Sequence, residues 1–129
     1  MEQIQFQSQR ALVIEDEIPL AGIFAKALKL AGYQTGEIYD GQEALDQLRQ
    51  TEEAPALILL DFHLPFVSGN EILQFIRGDQ RFSETLVIMA TADSAAVTGE
   101  IEKKVDLVLL KPISYSQLRE LASRFRYSR

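Results

Sequence analysis

Cysteine is absent from the chain, and no apolar run approaches the length of a membrane span. The lack of cysteine excludes disulfide bonds, thiol catalysis and cysteine-ligated metals. The lack of a run of about 18 apolar residues argues against a helix that crosses a bilayer. The N-terminus, MEQIQFQSQR, also has no basic region followed by an apolar block. We therefore expect no secretory signal, no membrane association and a cytoplasmic location.

Positive charge is in short supply, because 13 Lys and Arg stand against 19 Asp and Glu, which gives a net charge of -6. Binding to nucleic-acid phosphates depends on Lys and Arg, so we expect no direct nucleic-acid binding by this chain. The segment RELASRFRYSR (119–129) is a local exception, with four arginines against one glutamate. We interpret it as the end of a helix whose cations complement the helix dipole, with a docking patch as the alternative.

The remaining composition is that of an ordinary folded protein, in which 47% of the 129 residues are hydrophobic and 25% are charged. This length suits one hydrophobic core. No repeat, low-complexity tract or linker interrupts the sequence. We therefore predict a single domain over residues 8–127, with terminal tails at 1–7 and 128–129.

Four apolar runs have the composition of buried β-strands, and a weaker candidate lies between the first two. Because the runs are continuous rather than alternating, they indicate strands that are covered on both faces, as in a parallel sheet. The five candidates are ALVI (11–14), YQTGEIY (33–39), LILL (57–60), TLVIMAT (85–91) and VDLVLL (105–110).

Amphipathic patterns after the strands predict helices. The clearest stripe runs from Leu20 to Ala31, with Pro19 in its first turn and Gly32 at its end. The segment 94–104 predicts only a short and mobile helix capped by Ser94, because Gly99 in a helix interior costs about 1 kcal/mol relative to Ala. Three further stripes contain Ala44, Leu45 and Leu48; Ile72, Phe75 and Ile76; and Leu118, Leu121, Ala122 and Phe125.

The resulting alternation of strands and helices predicts an α/β protein with helices on both faces of a parallel sheet. Ligands of such sheets bind beyond the carboxyl ends of the strands. Taken singly, each polar residue at a strand end could be explained by its structural role, such as a helix cap or a turn. Their coincidence at one edge of the sheet favours a functional site. These residues are Glu15, Asp16 and Glu17 after the first strand, Asp61 at the third, Thr91 at the fourth, and Lys111 and Pro112 after the fifth.

The three carboxylates of Glu15, Asp16 and Asp61 would repel one another at such an edge, and Lys111 offsets only one of their charges. A divalent cation would neutralise the remainder. Because the ligands are carboxylate oxygens, without cysteine or a pair of histidines, the cluster favours a hard ion such as Mg²⁺ over zinc. A metal, an amine and the hydroxyl of Thr91 around one carboxylate are equipment for phosphoryl transfer, with Asp61 as the nucleophile.

At this point the sequence resembles the receiver domain of two-component response regulators, of the chemotaxis-response-regulator type, over essentially its whole length. The resemblance rests on VIEDE, LILLDFHLPFVSGNEIL, IMATA and LLKP, which occur in the family's order and at its spacing. It implies a flavodoxin-like, doubly wound (βα)5 sandwich of three layers, with a five-stranded sheet in the order 2-1-3-4-5. It also implies a signalling phosphoacceptor that dephosphorylates itself slowly, rather than an enzyme.

The resemblance further implies individual roles. Asp61 would accept the phosphoryl group, and Mg²⁺ or Mn²⁺ would bind to Asp61, Glu15, Asp16 and the backbone carbonyl of His63. Ala92 and Lys111 would contact the phosphoryl group, and Thr91 would supply the switch hydroxyl. Gly69 would supply the turn after Asp61, and the peptide bond before Pro112 would be cis. Glu17 is no family ligand and is interpreted as a charge at the start of the first helix.

Two features depart from or qualify the family pattern. Val108 occupies the position of the usual aromatic switch residue, so signalling by aromatic rotation is in doubt, and a buried strand valine is the simple interpretation. Coupling would then pass through the backbone near the fourth helix. His63 and Asp93 would rim the site and tune dephosphorylation by pairing above the phosphoryl group, with exposed loop residues of no role as the alternative.

The expected partners are a sensor histidine kinase or a histidine phosphotransfer protein, whose helix would dock around residues 17–28, together with a downstream target or a fused effector domain. A homodimer that forms on phosphorylation is a further expectation. A kinase's own histidine module is disfavoured, because the sole histidine, His63, lies in a loop. One alternative is a degenerate receiver that only binds proteins. A second is a haloacid-dehalogenase-type phosphatase, which would need an Asp at position 63. A third is a flavin-binding flavodoxin, whose phosphate-binding loop does not match EDEIPLAG (15–22).

Overall fold

A parallel five-stranded sheet forms the centre of the protein, with the strand order β2-β1-β3-β4-β5. The computed structural model describes residues 9–127, and the tails predicted at 1–7 and 128–129 lie outside the described residues. The strands are β1 (Arg10–Ile14), β2 (Gln34–Ile38), β3 (Leu57–Asp61), β4 (Leu86–Thr91) and β5 (Leu107–Leu110). All five predicted strands are confirmed, and so is their order.

Helices cover both faces of this sheet. They are α1 (Ile18–Leu30), α2 (Gly41–Gln50), α3 (Gly69–Gly78), α4 (Gly99–Glu102) and α5 (Tyr115–Tyr127). Helices α1 and α5 pack on one face, while α2, α3 and α4 pack on the other. The predicted three-layer, doubly wound α/β fold is confirmed.

The continuous apolar runs are explained by the two-sided burial of the central strands. In β1, Ala11 and Val13 belong to the core beneath α1 and α5, whereas Leu12 and Ile14 belong to the core beneath α2 and α3. Every residue of β3 is buried. A strand with no solvent face needs apolar residues at consecutive positions, which is the pattern that predicted it.

The first helix begins and ends as its sequence predicts. Pro19 lies in its first turn, where the missing N–H costs nothing, and Gly32 follows it with a φ of 106°. The N-cap position is occupied by Glu17, whose side chain makes no capping hydrogen bond. Because the helix starts immediately after β1, its first turn lies at the carboxyl edge of the sheet.

The segment predicted as one short helix over 94–104 is divided into a 3₁₀ turn, Ser94–Ala96, and the four-residue α4. Ser94 is not the cap of α4, since the hydroxyl of Thr98 accepts the hydrogen bond from the N–H of Ile101 at 3.4 Å. The glycine of this segment is the first residue of α4 rather than an interior one, so the helix-interior penalty does not apply. The prediction of a short helix is correct, and its cap was misplaced.

Candidate functional site

Three carboxylates meet at the carboxyl edge of the sheet. Glu15 and Asp16 follow β1, Asp61 ends β3, and the two strands are neighbours in parallel register. One oxygen from each carboxylate lies within 4.8 Å of the others. Glu15 and Asp61 are buried, with 1% and 5% of their surface exposed, and Asp16 is exposed. The structure thus brings together the acidic residues that the sequence assigned to one edge.

Lys111 reaches this cluster from the end of β5. Its Nζ donates a hydrogen bond to Oε1 of Glu15 at 2.6 Å and lies 3.5 Å from Oδ1 of Asp61. The amine is therefore closer to the buried glutamate than to the predicted phosphoacceptor. The peptide bond between Lys111 and Pro112 is cis.

The crowding of charges changes the proton affinity of two groups. Burial, followed by the hydrogen bond and the negative charge of Glu15, raises the pKa of Asp61 to about 7, although Lys111 opposes the change. Burial alone would lower the pKa of Lys111, but its hydrogen bond to Glu15 and the charge of Asp61 outweigh burial and raise it. The amine therefore stays charged, while Asp61 is held near the point of protonation at neutral pH.

The loop after β3 begins with a backbone contact to the predicted phosphoacceptor. The N–H of His63 donates to Oδ1 of Asp61 at 3.2 Å. The His63 imidazole is exposed and lies edge-on to the ring of Phe62, with 5.0 Å between ring centroids. Along residues 9–127, no hydrogen bond or ion pair links His63 to Asp93.

Thr91 ends β4 with its hydroxyl turned into its own loop. Its Oγ1 accepts from the N–H of Asp93 at 3.0 Å and donates to the Asp93 carbonyl at 3.3 Å. The Asp93 carboxylate in turn accepts from the N–H of Ala95 at 3.0 Å, which caps the 3₁₀ turn. Thr91 is fully buried, whereas Ala92 and Asp93 are exposed. The predicted switch hydroxyl is thus part of the hydrogen bonding that shapes the β4–α4 loop.

Val108 lies on β5, opposite Met89 of β4. It packs against the core on the side of α3 and α4, but it is partly exposed. The interpretation as a buried strand valine is therefore only half right, because β5 is an edge strand in which no residue is fully buried.

The loop from Phe62 to Ser68 differs from its prediction in one respect. Gly69, which was expected to supply the turn, is the first residue of α3, and a Cβ there would lie 2.3 Å from the carbonyl oxygen of Asp61. The left-handed residue of this loop is instead Phe66, with a φ of 72°. Gly69 is required for a close approach of backbones, and the turn is made by an aromatic residue.

Sequence reasoning also missed Gly41, at the start of α2. Its N–H donates to the carbonyl of Pro65 at 3.2 Å, and a Cβ at this position would lie 1.8 Å from the carbonyl oxygen of Val67. The β2–α2 loop therefore supports the loop that follows Asp61. No local signal could have revealed this contact, because the two segments are more than 20 residues apart in the sequence.

Known proteins share both this sequence pattern and this fold. The profile of the response regulator receiver domain family matches residues 11–123. The DNA-binding response regulator MtrA of Mycobacterium leprae (strain TN) is 33% identical over 120 residues, which are 92% of this chain and 50% of that protein. MtrA of Mycobacterium tuberculosis (strain ATCC 25618 / H37Rv) is also 33% identical, with 49% of its length covered. The chain spans about half the length of these relatives.

Solved structures give the same result. The receiver domain of the Francisella response regulator 1452 superimposes with a TM-score of 0.79 at 26% identity, over 94% of this chain and 99% of that one. The response regulator DrrB of Thermotoga maritima has a TM-score of 0.79 at 26% identity, over 95% of this chain and 54% of that one. A CheY-like receiver domain from Methylobacillus flagellatus shares the fold, with a TM-score of 0.80 at 22% identity over 92% and 99% of the two chains.

No helix within residues 9–127 is long and apolar enough to cross a membrane.

The family profile covers most of the sequence, and the sheet order and the acidic edge are those that the family resemblance implied. The chain belongs to the response regulator receiver domain family, the signalling domains of two-component systems.

Proposed function

We propose that Asp61 accepts a phosphoryl group from the phosphohistidine of a sensor histidine kinase or a histidine phosphotransfer protein. The observation that carries this proposal is the convergence of Glu15, Asp16 and Lys111 on the buried carboxylate at the end of β3. A buried carboxylate beside both an acidic pair and an amine is suited to in-line attack on phosphorus. The receiver domain would comprise residues 8–127 and would act in the cytoplasm, within a two-component pathway or a phosphorelay.

The transfer exchanges one bond for another. A carboxylate oxygen of Asp61 attacks phosphorus as the P–N bond breaks, and the electron pair of that bond stays on the imidazole nitrogen of the donor. Asp61 must be ionised in order to attack, so the proton favoured by its raised pKa has to leave before transfer. Neutralisation of the acidic cluster is therefore part of the activation of the nucleophile.

The cluster fits Mg²⁺ or Mn²⁺, because its donors are carboxylate oxygens close enough to share one ion. Glu15, Asp16 and Asp61 would hold the ion together with the carbonyl oxygen of His63. Within the described part of the chain, no protein group donates a hydrogen bond to that carbonyl, so it is available as a ligand. When bound, the ion would offset the carboxylate charges and the charge of the phosphoryl oxygens.

Lys111 and Thr91 would contact the phosphoryl oxygens after transfer. Lys111 would shift from Oε1 of Glu15, while the hydroxyl of Thr91 and the N–H of Ala92 would donate hydrogen bonds from the end of β4. Thr91 would have to release Asp93 in order to do so. This exchange of partners offers a route from the phosphoryl group to the β4–α4 loop that needs no aromatic residue at Val108.

Slow self-dephosphorylation is part of the proposed function, with His63 and Asp93 as the residues that tune it. Both side chains are exposed at the rim of the site, on the loops that follow Asp61 and Thr91. They could pair above the acyl phosphate and restrict the attacking water. An unchanged dephosphorylation rate in His63→Ala would contradict this role.

The output would be a changed interaction surface, read by a downstream target or a fused effector domain, or by a second copy of the chain after phosphorylation. The two MtrA relatives are DNA-binding response regulators, which supports a fused effector in a longer protein. A degenerate receiver that only binds proteins is the competing function, and its support is the partly exposed Val108 in place of an aromatic residue. A haloacid-dehalogenase-type phosphatase would need an Asp at position 63 as general acid, where this chain has His63.

The deciding experiment is incubation with Mg²⁺ and phosphoramidate, followed by measurement of the intact mass. We expect one added phosphoryl group in the wild type, none after treatment with EDTA, and none in Asp61→Asn. A gain of mass that persists in Asp61→Asn would contradict the assignment, and no gain in the wild type would favour the degenerate receiver.

A further inference from the structure

Phe66 combines two features that each disfavour a phenylalanine. Its φ of 72° lies in the left-handed region, and it is the one non-glycine residue with a positive φ among residues 9–127. The residue is 86% exposed, more than any other large hydrophobic residue that the structure describes. Glycine or asparagine would adopt this backbone with less strain, and a polar side chain would be better solvated. Both features cost free energy in the free protein.

The turn that holds Phe66 is firmly built. The carbonyl of Pro65 accepts hydrogen bonds from Val67, two residues later, at 2.9 Å and from Gly41 at 3.2 Å. Val67 is buried in the core beneath α2 and α3. The residues on either side of Phe66 are therefore anchored, and the aromatic ring is presented to solvent by a supported three-residue turn.

The position of this turn relates it to Asp61. The loop leaves β3 at Asp61, contacts its carboxylate through the N–H of His63, and closes through a hydrogen bond of 3.0 Å from Gly69 to Phe62. Asp61 is only 5% exposed. A macromolecular donor must therefore bring its phosphohistidine down onto the loops around this carboxylate, whereas a small phosphodonor needs only the opening itself.

We propose that Phe66 is a specificity-determining contact for the phosphohistidine-bearing partner, with its ring packed against apolar side chains beside the donor histidine. This inference rests on the proposed phosphoacceptor function and names part of the surface that the donor protein recognises. A strained backbone and an exposed aromatic ring are both expected where the compensating contact is made only in the complex. The apolar ring calls for an apolar helix surface on the partner rather than a charged one.

The experiment compares two donors for the same set of variants. Phe66→Asn and Phe66→Gly remove the ring and tolerate the left-handed backbone, and Phe66→Tyr keeps the ring. Leu30→Asn is the matched control, because Leu30 is 58% exposed but lies at the far end of α1, about 18 Å from its first residue. The donors are phosphoramidate with Mg²⁺ and an autophosphorylated histidine kinase that phosphorylates the wild-type chain.

With the kinase, we expect the transfer rate of the Asn and Gly variants to fall at least tenfold, with recovery in Phe66→Tyr and no change in Leu30→Asn. With phosphoramidate, all rates should stay within about twofold of the wild type. The thermal midpoints of the Asn and Gly variants should equal or exceed that of the wild type, since strain is relieved.

If the kinase phosphorylates the Phe66 variants as fast as the wild type, the inference is overturned. An equal loss of rate with the kinase and with phosphoramidate would also overturn it, because that result would identify a structural role for Phe66. A change in self-association of the unphosphorylated chain in Phe66→Asn would assign the ring to contacts between copies instead. Failure of phosphoramidate to phosphorylate even the wild type would contradict the proposed function itself, so the two failures are distinguishable.

Discussion

The amine of Lys111 is hydrogen-bonded to the buried carboxylate of Glu15 at 2.6 Å, and its distance to Asp61 is nearly 1 Å longer. The residue predicted to hold the phosphoryl group therefore serves first as the counter-charge of a buried glutamate. The two duties are compatible only if another cation compensates Glu15 when the amine moves. The carboxylates of Glu15, Asp16 and Asp61 would be the ligands of such a cation.

Removal of this counter-charge should destabilise the metal-free protein. We expect Lys111→Met to lower the free energy of unfolding by about 2 kcal/mol in EDTA, since it leaves Glu15 buried and unpaired. Mg²⁺ should recover part of the loss. Urea unfolding measures both effects, with Lys103→Met, at an exposed lysine, as the control. Equal losses in the two variants would contradict the role of the pair.

The stability of the metal-free protein should depend on pH through Asp61. Its pKa is raised from 3.8 to about 7 in the folded state, so its favourable contribution is complete below about pH 4 and is lost as the pH rises through 7. Asp61→Asn lacks this loss. In EDTA, its thermal midpoint should exceed that of the wild type by several degrees at about pH 8 and by much less at about pH 4.5. A difference that does not depend on pH would refute this assignment.

Divalent cations should stabilise the wild type by mass action. At a Mg²⁺ concentration ten times the dissociation constant, linkage predicts a gain of about 1.4 kcal/mol. Asp16→Asn should shift the titration to higher concentrations while barely changing the stability in EDTA, because Asp16 is exposed. Glu17→Gln, a change at the neighbouring exposed carboxylate, should leave the titration unchanged. Thermal melts over a Mg²⁺ series provide the measurement.

The packing of Gly41 against the β3–α3 loop should be highly sensitive to added volume. In Gly41→Ala, the Cβ would meet the Val67 carbonyl oxygen at 1.8 Å, so we expect a loss of about 2–3 kcal/mol and slower phosphorylation by phosphoramidate. Gly78→Ala is the matched control, since nothing lies within 4 Å of its Cβ. That change should be neutral or stabilising by up to about 1 kcal/mol. Denaturant unfolding would show whether the two alanines differ.

The release of Asp93 by Thr91 should be visible in amide exchange. An acyl-phosphate mimic should reduce protection over residues 92–98, because the turn built on the Thr91 hydroxyl and the Asp93 carboxylate would rearrange. Thr91→Ser should preserve the response, and Thr91→Ala should abolish it. Protection that stays unchanged across residues 92–110 would rule out coupling through this loop.

The parts of the molecule that the sequence predicted well are those governed by regular periodicity. The strands, the sheet and the edge shared by Glu15 and Asp61 follow from two-sided burial and right-handed crossovers, which leave a clear pattern in the sequence. The cap of α4 was misplaced because Ser94 and Thr98 are both good caps, and only tertiary packing selects between them.

The partner of Lys111 and the contact of Gly41 could not be predicted, because each depends on distances across the chain that carry no local signal. The left-handed Phe66 was missed for a different reason. Turns with a positive φ favour glycine, so the sequence predicts the turn at the nearby Gly69, whereas the structure places it at Phe66.

The complete burial of β3 has a consequence for how the domain opens. Asp61 ends a strand that solvent can reach only when the whole core separates, so the geometry of the nucleophile should persist until global unfolding. No residue of β5 is buried and α4 has only four residues, so we expect this edge of the sheet to open before β3 does. The fold thus places the proposed nucleophile, Asp61, in its best-buried strand, while Lys111 and the proposed readout adjoin its least-buried one.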